Sequence, residues 1–417
     1  MNLLEGECPD LVCTRRRLLT AAGAVAGLTA LDVATPRMAF AADKQRGDLL
    51  VVITLQGGAD GLSLVPPIAD PNYTKARPDI GVSASQALKL DRTFGLHPAL
   101  KPLMPFWNSK QLAIVHAIGD ADGTRSHFEA TDAMDRGVNA TSSTATGWID
   151  RYLVSRGLRS SDFPALAIAG RPEGALAGGI PELDTYDVRG FKIQVAQARQ
   201  QATELALAQM YADIAGPVAG AARGTLSALK SFGPFRDQPY TPRAGATYPS
   251  NGLGYSLKQV AQVARAGVGL EVACVTLGGW DTHVGMGSVA GGPMSDLVGH
   301  LGQAMAAFAT DLGPLMANTT IVTMTEFGRR VTQNGSGGVD HGYGSSMMVL
   351  GGGVRGGKVY GRWPGLAPAQ LANGDLKVTT DYRDVLGELV QRRLGGRSLG
   401  SVFPDHRFQP LGLARQR

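Results

Sequence analysis

Five short stretches hold most of the residue types that can do chemistry. "LQGGADG" sets Asp60 after an apolar run and a glycine pair, and "VTLGGWDTH" follows the same plan with Asp281 and then His283. "TEFGRR" gives Glu326 with Arg329 and Arg330 behind it, "VDHGYG" gives Asp340 and His341, and "GTRSHFEA" gives Thr124 and Ser126. Carboxylates take hard divalent ions and imidazole suits zinc and its neighbours, so these acids and histidines make a mixed oxygen–nitrogen metal set. A hydroxyl at a helix N-terminus, where free amides and the dipole favour an anion, becomes a candidate nucleophile if a dication lies beside it.

Each residue also has an ordinary use. Asp60 and Asp281 could cap turns, Glu326 could pair with Arg329 or Arg330, and His341 could donate to a carbonyl. Ser126-His127-Phe128-Glu129 fits a capping box, in which the serine hydroxyl accepts from the third helical amide and Glu129 reaches back. Asp340 could be a ligand or could orient the neighbouring His341 imidazole. Placement favours the chemical use, because every one of these residues sits beside an apolar run.

Those runs are Leu49–Leu55, Gln111–Ile118, Ala165–Ala169, Glu271–Leu277, Thr319–Met324 and Ser346–Leu350. They alternate with helical patterns at Leu257–Ala266, Met294–Leu312 and Tyr382–Leu394. Such alternation predicts an α/β fold with a mostly parallel central sheet and helices on both faces. Ligands of open α/β sheets lie outside the carboxyl ends of the strands, which is where Asp60, Asp281 and Glu326 fall. Thr141–Arg159 reads as an amphipathic helix around Trp148. Phe191–Phe232 reads as helical and Gly233–Asn251 as loop, so about 170–250 is expected to be an insertion that shelters a site.

The first 41 residues read as an address. Arg15-Arg16-Arg17 leads into an uncharged Ala/Gly/Leu stretch and then Ala39-Phe40-Ala41, the pattern of a twin-arginine signal with a peptidase site. The stretch is too short for a stable membrane anchor. Residues 42–417 then form the exported domain, periplasmic or secreted, with the twin-arginine translocase as its partner during export. Removing 1–41 takes four basic and four acidic residues, so the net charge stays at +5. That thin excess, without any basic run, excludes nucleic acid as an expected partner. Of three cysteines only Cys274 lies beyond residue 41, inside an apolar run, where it reads as a small hydrophobe.

The order of strand-end Asp, helix-capping hydroxyl, Asp-x-His, strand-end acid and a His before a strand resembles the alkaline phosphatase and sulfatase superfamily. More closely, "GGADGL", "SHFEA", "GGWDTH", "TEFGRR", "DHGYG" and "VLGGGVRGGKVYG" resemble a bacterial exported family within it, the domain-of-unknown-function 1501 family, from Leu49 to Gly395. The resemblance implies an alkaline phosphatase-like fold and two divalent ions flanking a Ser or Thr nucleophile. Asp281, His283 and His341 would hold one ion; Asp60, Glu326 and the hydroxyl of Ser126 or Thr124 would surround the other. Arg329 or Arg330 would clamp an anionic small-molecule or glycan ester of phosphate or sulfate. The chain departs from the superfamily pattern in two places: only Thr282 separates Asp281 from His283, and Phe327 stands where an imidazole would follow Glu326. Zn, Mg, Ca and Mn all remain open as the ion. The departures keep alive a second expectation, a catalytically weak or inactive member acting as an extracellular binding or assembly protein.

Other signals carry less. "GGVRGGKV" falls short of a phosphate loop because Val359 has no hydroxyl and no helix opens after it. His97 and His116 read as structural, and His300 as a marginal ligand.

Overall fold

The computed structural model describes residues 48–120, 123–158, 164–168, 174–180, 182–236, 238–396 and 398–417. The expected export signal, 1–41, lies outside the described residues. The sheet strands are β1 (Leu49–Leu55), β2 (Leu112–Gly119), β3 (Ala165–Ile168), β4 (Glu182–Asp184), β5 (Val272–Leu277), β6 (Thr319–Met324), β7 (Ser345–Gly351), β8 (Lys358–Tyr360) and β9 (Thr380–Asp381). Their spatial order is β8-β2-β7-β6-β1-β5-β3-β4, and β9 also pairs with β2. Every pairing is parallel except those of β7, which runs against both β2 and β6. The fold is therefore α/β with a mostly parallel sheet, as the alternation of runs and helices predicts.

Period-2 side-chain geometry divides the core. Leu49, Val51, Ile53 and Leu55 of β1 face a core shared with Leu257, Val260, Leu301 and Phe308. Leu50 and Val52 face the opposite core, with Trp148, Tyr152, Leu386 and Leu389. Burial on both faces explains why β1 reads as an unbroken Val/Ile/Leu run rather than an alternating one. Truncating any of these buried side chains to Ala costs about 2–5 kcal/mol.

Seven helices matter to the layers: α1 (His127–Arg136), α2 (Trp148–Ser155), α3 (Gln200–Ala212), α4 (Pro217–Arg236), α5 (Gly252–Ala266), α6 (Pro293–Leu312) and α7 (Tyr382–Arg392). Helices α5 and α6 cover one face of the sheet, α2 and α7 the other. Local chemistry fixes their ends. Asn251 caps α5 by accepting from the Gly254 amide at 2.8 Å, and Gly267, at φ +68°, ends it. Pro293 opens α6, where its missing N–H costs nothing.

The stretch expected as an insertion departs from its reading in two respects. Glu182–Asp184 joins the sheet as β4, and α4 continues through Gly233 to Arg236. The loop after α4 is pinned to α6: Asp311 accepts from Tyr240 Oη at 2.7 Å, Tyr248 Oη at 2.9 Å and the Arg243 amide at 2.8 Å. Val188 donates to Gln259 of α5 at 2.6 Å. These contacts fasten the stretch to the α5–α6 face of the sheet. No helix among the described residues is long and apolar enough to cross a membrane.

The direction of β7 positions the site. Strands β1, β2, β5 and β6 all deliver their following loops to one edge of the sheet. Because β7 runs the other way, it begins at that edge, and the residues just before it, Asp340 and His341, arrive there too. A bulge at Ala117, φ +53°, bends the end of β2 before the chain crosses to α1.

Candidate metal centre

At this edge four side chains converge on one oxygen, Asp281 Oδ1. Arg329 Nη2 donates to it at 2.6 Å, and imidazole Nε2 atoms lie at 3.1 Å (His283), 3.2 Å (His341) and 3.5 Å (His127). Asp281 comes from the loop after β5, His341 from the approach to β7, and His127 is the first residue of α1. The His127 and His341 rings meet edge to face at 4.5 Å between centroids, and Phe327 packs 4.7 Å from both. Burial alone would raise the Asp281 pKa. Hydrogen bonds from Arg329 and His341, with the charges of Arg329 and His283, outweigh it and hold the carboxyl at about 2.

The other nitrogen of each imidazole is already engaged. His127 Nδ1 faces Glu326 Oε1 at 2.7 Å, His283 Nδ1 faces Asp340 Oδ1 at 2.9 Å, and His341 Nδ1 faces the Arg125 carbonyl at 2.9 Å. Carboxylates and carbonyls only accept, so each Nδ1 carries a proton, and Nε2 is the atom that each neutral imidazole would have left to offer a dication. Arg329 Nη1 lies 3.3 Å from His283 Nε2. Three Nε2 atoms and a carboxylate oxygen thus converge. His127 Nε2 is buried and has no hydrogen-bond partner. His127, Asp281 and His341 can each offer an atom within 4.8 Å of the others. This donor set fits a transition-metal dication, with Glu326, Asp340 and the Arg125 carbonyl orienting the imidazoles.

The candidates from sequence separate on this geometry. Asp281, His283 and His341 come together. Glu326 is present, but its side chain is 1% exposed and its Oε1 accepts from both His127 and the Gly57 amide, so it supports an imidazole. Asp340 pairs with His283 and not with its neighbour His341; Asn334 Nδ2 holds the same oxygen at 3.0 Å. Those contacts lower the Asp340 pKa, the His283 hydrogen bond first.

Asp60 is elsewhere. It is 1% exposed, its two oxygens meet the two terminal nitrogens of Arg77, and Ser63 Oγ donates to Oδ2 at 2.5 Å. Burial by itself would raise Asp60, but the Arg77 charge and hydrogen bonds, with Ser63, hold it below the ordinary carboxylate range. The glycines before Asp60 serve the site instead. A Cβ on Gly57 would lie 2.6 Å from the Asp281 amide nitrogen, and one on Gly58 2.5 Å from the Phe327 ring.

Arg329 is fully buried, with its donors spent on the carbonyls of Gly57, Gly58, Trp280 and Val339 as well as on Asp281. It fixes the centre's walls and does not face solvent as an anion clamp. The expected capping box does not form: the Ser126 side chain makes no cap hydrogen bond. Thr124 Oγ1 takes that work, donating to Glu129 Oε2 at 2.9 Å and accepting from the Ser126 amide at 3.1 Å. The sequence reading missed His127 because the capping-box pattern absorbed it. Its signal was its place, one residue after the candidate nucleophile, at the start of the helix that follows β2. A small cleft is lined by Thr124 and Glu326 among others; none of the three imidazoles lines it.

A family model described as "Protein of unknown function (DUF1501)" matches residues 195–394. No curated protein matches the sequence. Among solved structures, the PsFucS1 sulfatase from Pseudoalteromonas sp. aligns over 99% of this chain and 78% of its own, at 12% identity and a TM-score of 0.37. The alkaline phosphatase from the Antarctic bacterium TAB5 aligns over 74% of this chain and 92% of its own, at 10% identity and a TM-score of 0.32. Likeness at this level assigns no reaction to the chain.

Proposed function

We propose that this chain is an exported, metal-dependent hydrolase of phosphate or sulfate esters, working in the periplasm or outside the cell, with its reaction centre at Asp281. The supporting observation is the convergence of three imidazole Nε2 atoms on one carboxylate oxygen while every Nδ1 is already hydrogen-bonded. A dication held by His127, Asp281 and His341, with His283 alongside, would polarise an ester oxygen and make a neighbouring hydroxyl more acidic. Ser126 supplies that hydroxyl: it adjoins His127 and its side chain is free of the helix cap. Thr124 is the lesser candidate, since its hydroxyl is committed to Glu129.

Ser126 Oγ forms the bond to phosphorus or sulfur as its proton passes to water, and the ester oxygen leaves with the bonding pair and takes that proton back from the water. A second water then releases the inorganic anion and restores the hydroxyl. Arg125 and Arg330, whose side chains are 33% and 38% exposed and share the buried Asp375, support an anionic small-molecule or glycan ester as substrate. One observation favours a second reading, metal-bearing attachment to an apolar partner without turnover. Phe128 and Val284, next to His127 and His283, are 90% and 73% exposed.

Chromogenic phosphate and sulfate esters separate the two. In the hydrolase, Ser126→Ala lowers kcat/KM at least about a thousandfold, and Thr124→Ala costs less than about tenfold. Unchanged turnover in Ser126→Ala removes the assigned nucleophile. Failure of metal-loaded protein to act on either ester class leaves the attachment reading.

A further inference from the structure

We infer that the centre takes a single dication of nitrogen preference, because an internal guanidinium, Arg77, closes the position where the motif resemblance implies a second ion. The inference rests on the proposal that the Asp281 cluster binds metal and adds the number and class of the ion.

The Asp60 half of the implied second site is shut. Oδ1 accepts from Arg77 Nη2 at 3.0 Å, and Oδ2 accepts from Arg77 Nη1 and from Ser63 Oγ at 2.5 Å. Arg77 is fully buried, and its remaining donors go to the Val331 and Arg330 carbonyls, each at 2.8 Å. The pair is neutral, buried and hydrogen-bonded at both carboxylate oxygens, so an incoming ion would have to expel a buried guanidinium and leave it unpaired.

The Glu326 half is engaged as well. Oε1 is shared by the Gly57 amide at 2.9 Å and His127 Nδ1 at 2.7 Å, and Oε2 lies 3.2 Å from Thr325 Oγ1, whose one proton also faces the Leu55 carbonyl at 2.9 Å. The residue after it is Phe327, whose ring packs on His127 and His341 and offers no lone pair. Thr124, the other hydroxyl of the set, is bonded to Glu129.

What remains open is a nitrogen-rich set, His127, His341 and Asp281 with His283 beside them. Magnesium and calcium take all-oxygen shells, whereas the atoms that converge here are three imidazole nitrogens and one carboxylate oxygen, a set that suits zinc, iron, cobalt and nickel.

Elemental analysis of the purified chain tests this, after equilibration with Zn²⁺, Mg²⁺ and Ca²⁺ together and removal of free ions. One zinc per chain and no retained magnesium or calcium is expected. The cobalt-substituted protein should show the intense visible bands of a low-coordinate nitrogen-bound ion. His127→Ala should weaken zinc binding by at least about a hundredfold and remove those bands. Two ions per chain, or calcium or magnesium held in preference to zinc, overturns the inference while leaving the metal proposal standing. Unaltered zinc affinity in His127→Ala overturns the assigned ligand set. No ion of any kind sinks the metal proposal and the inference with it.

Discussion

Two turns in this chain share one local pattern and meet opposite fates. Leu55-Gln56-Gly57-Gly58-Ala59-Asp60 leaves β1 and Leu277-Gly278-Gly279-Trp280-Asp281 leaves β5, and these strands are parallel neighbours with Leu55 paired to Leu277. Each places an Asp after Gly-Gly-x at the same edge of the sheet. Asp60 begins a short buried turn, Gly61–Leu64, and ends 1% exposed against Arg77. The Asp281 side chain stays 49% exposed amid imidazoles. The turn puts a carboxylate at the edge. Distant residues decide what it then does: Arg77 for one, and His127, His283 and His341 for the other.

The largest expected break in this comparison is in stability. Asp60→Ala leaves the Arg77 guanidinium buried without its carboxylate and should cost about 3–5 kcal/mol in urea unfolding of the metal-free protein. Asp281→Asn keeps an acceptor for Arg329 at a half-exposed position and should change stability by less than about 1 kcal/mol, while abolishing metal retention. Equal destabilisation by the two would mean that the turns are not functionally distinct.

Acid sharpens the contrast through a histidine of the Asp60 region. Burial is the main cause holding His116 at a pKa of about 4, although its hydrogen bond to the Val65 carbonyl and the Asp60 charge pull the other way. The unfolded chain therefore binds more protons than the folded one between pH 6.5 and 4. Stability falls across that window as pH drops, by about 3 kcal/mol from this group. The Asp60 pKa is lowered, so its contribution is full above the ordinary Asp range and is lost only at more acid pH, as the folded carboxylate protonates. Unfolding free energies from pH 7 to 4 should show the first loss together with that of His97, which burial also holds at about 4, and His116→Gln should remove about half of it. An unchanged slope in that variant would place the acid sensitivity elsewhere.

The parts of the molecule legible in the sequence are those set by local periodicity. β1 and β6 fall on the apolar runs residue for residue, and α6 begins one residue early at Pro293. Strand direction was not legible: Ser345–Gly351 reads like any other buried strand, and only its pairings show that it runs against its neighbours and brings His341 to the edge. β4 was hidden because Glu182–Asp184 has neither length nor an apolar run. At the site, Asp281, His283 and His341 were found because each follows or precedes a run. Asp60 looked the same, because its partner Arg77 lies 17 residues away with no motif joining them. His127 was read as part of a cap whose hydrogen bonds in fact belong to Thr124.

A smaller effect concerns the support for the imidazoles. Glu326→Gln still accepts from the Gly57 amide and His127 but no longer holds His127 with a full charge. Zinc affinity should fall about 10- to 100-fold, with stability within about 1 kcal/mol of wild type. Measured by competition with a chelator, a loss no greater than twofold would mean that Glu326 does not tune its histidine.

The mildest test returns to the glycines of the two turns. Gly58 has φ +69°, and a Cβ there meets the Phe327 ring at 2.5 Å and Arg329 Nε at 3.2 Å. The left-handed backbone alone makes Gly58→Ala cost about 1–2 kcal/mol. Displacing Phe327 would also shift the rings of His127 and His341, so zinc binding should weaken with stability. At the first glycine of the other turn, the counterpart of Gly57, a Cβ on Gly278 meets only Gln56 Oε1, at 4.0 Å. Gly278→Ala should stay within about 0.5 kcal/mol of wild type and keep its metal. The asymmetry has a definite cause: the β1 turn is the wall against which the Asp281 centre is built, so its glycines answer to a site that its own aspartate does not enter. If Gly278→Ala loses zinc and Gly58→Ala keeps it, the β5 turn is its own wall, and the division of labour between the two turns is reversed.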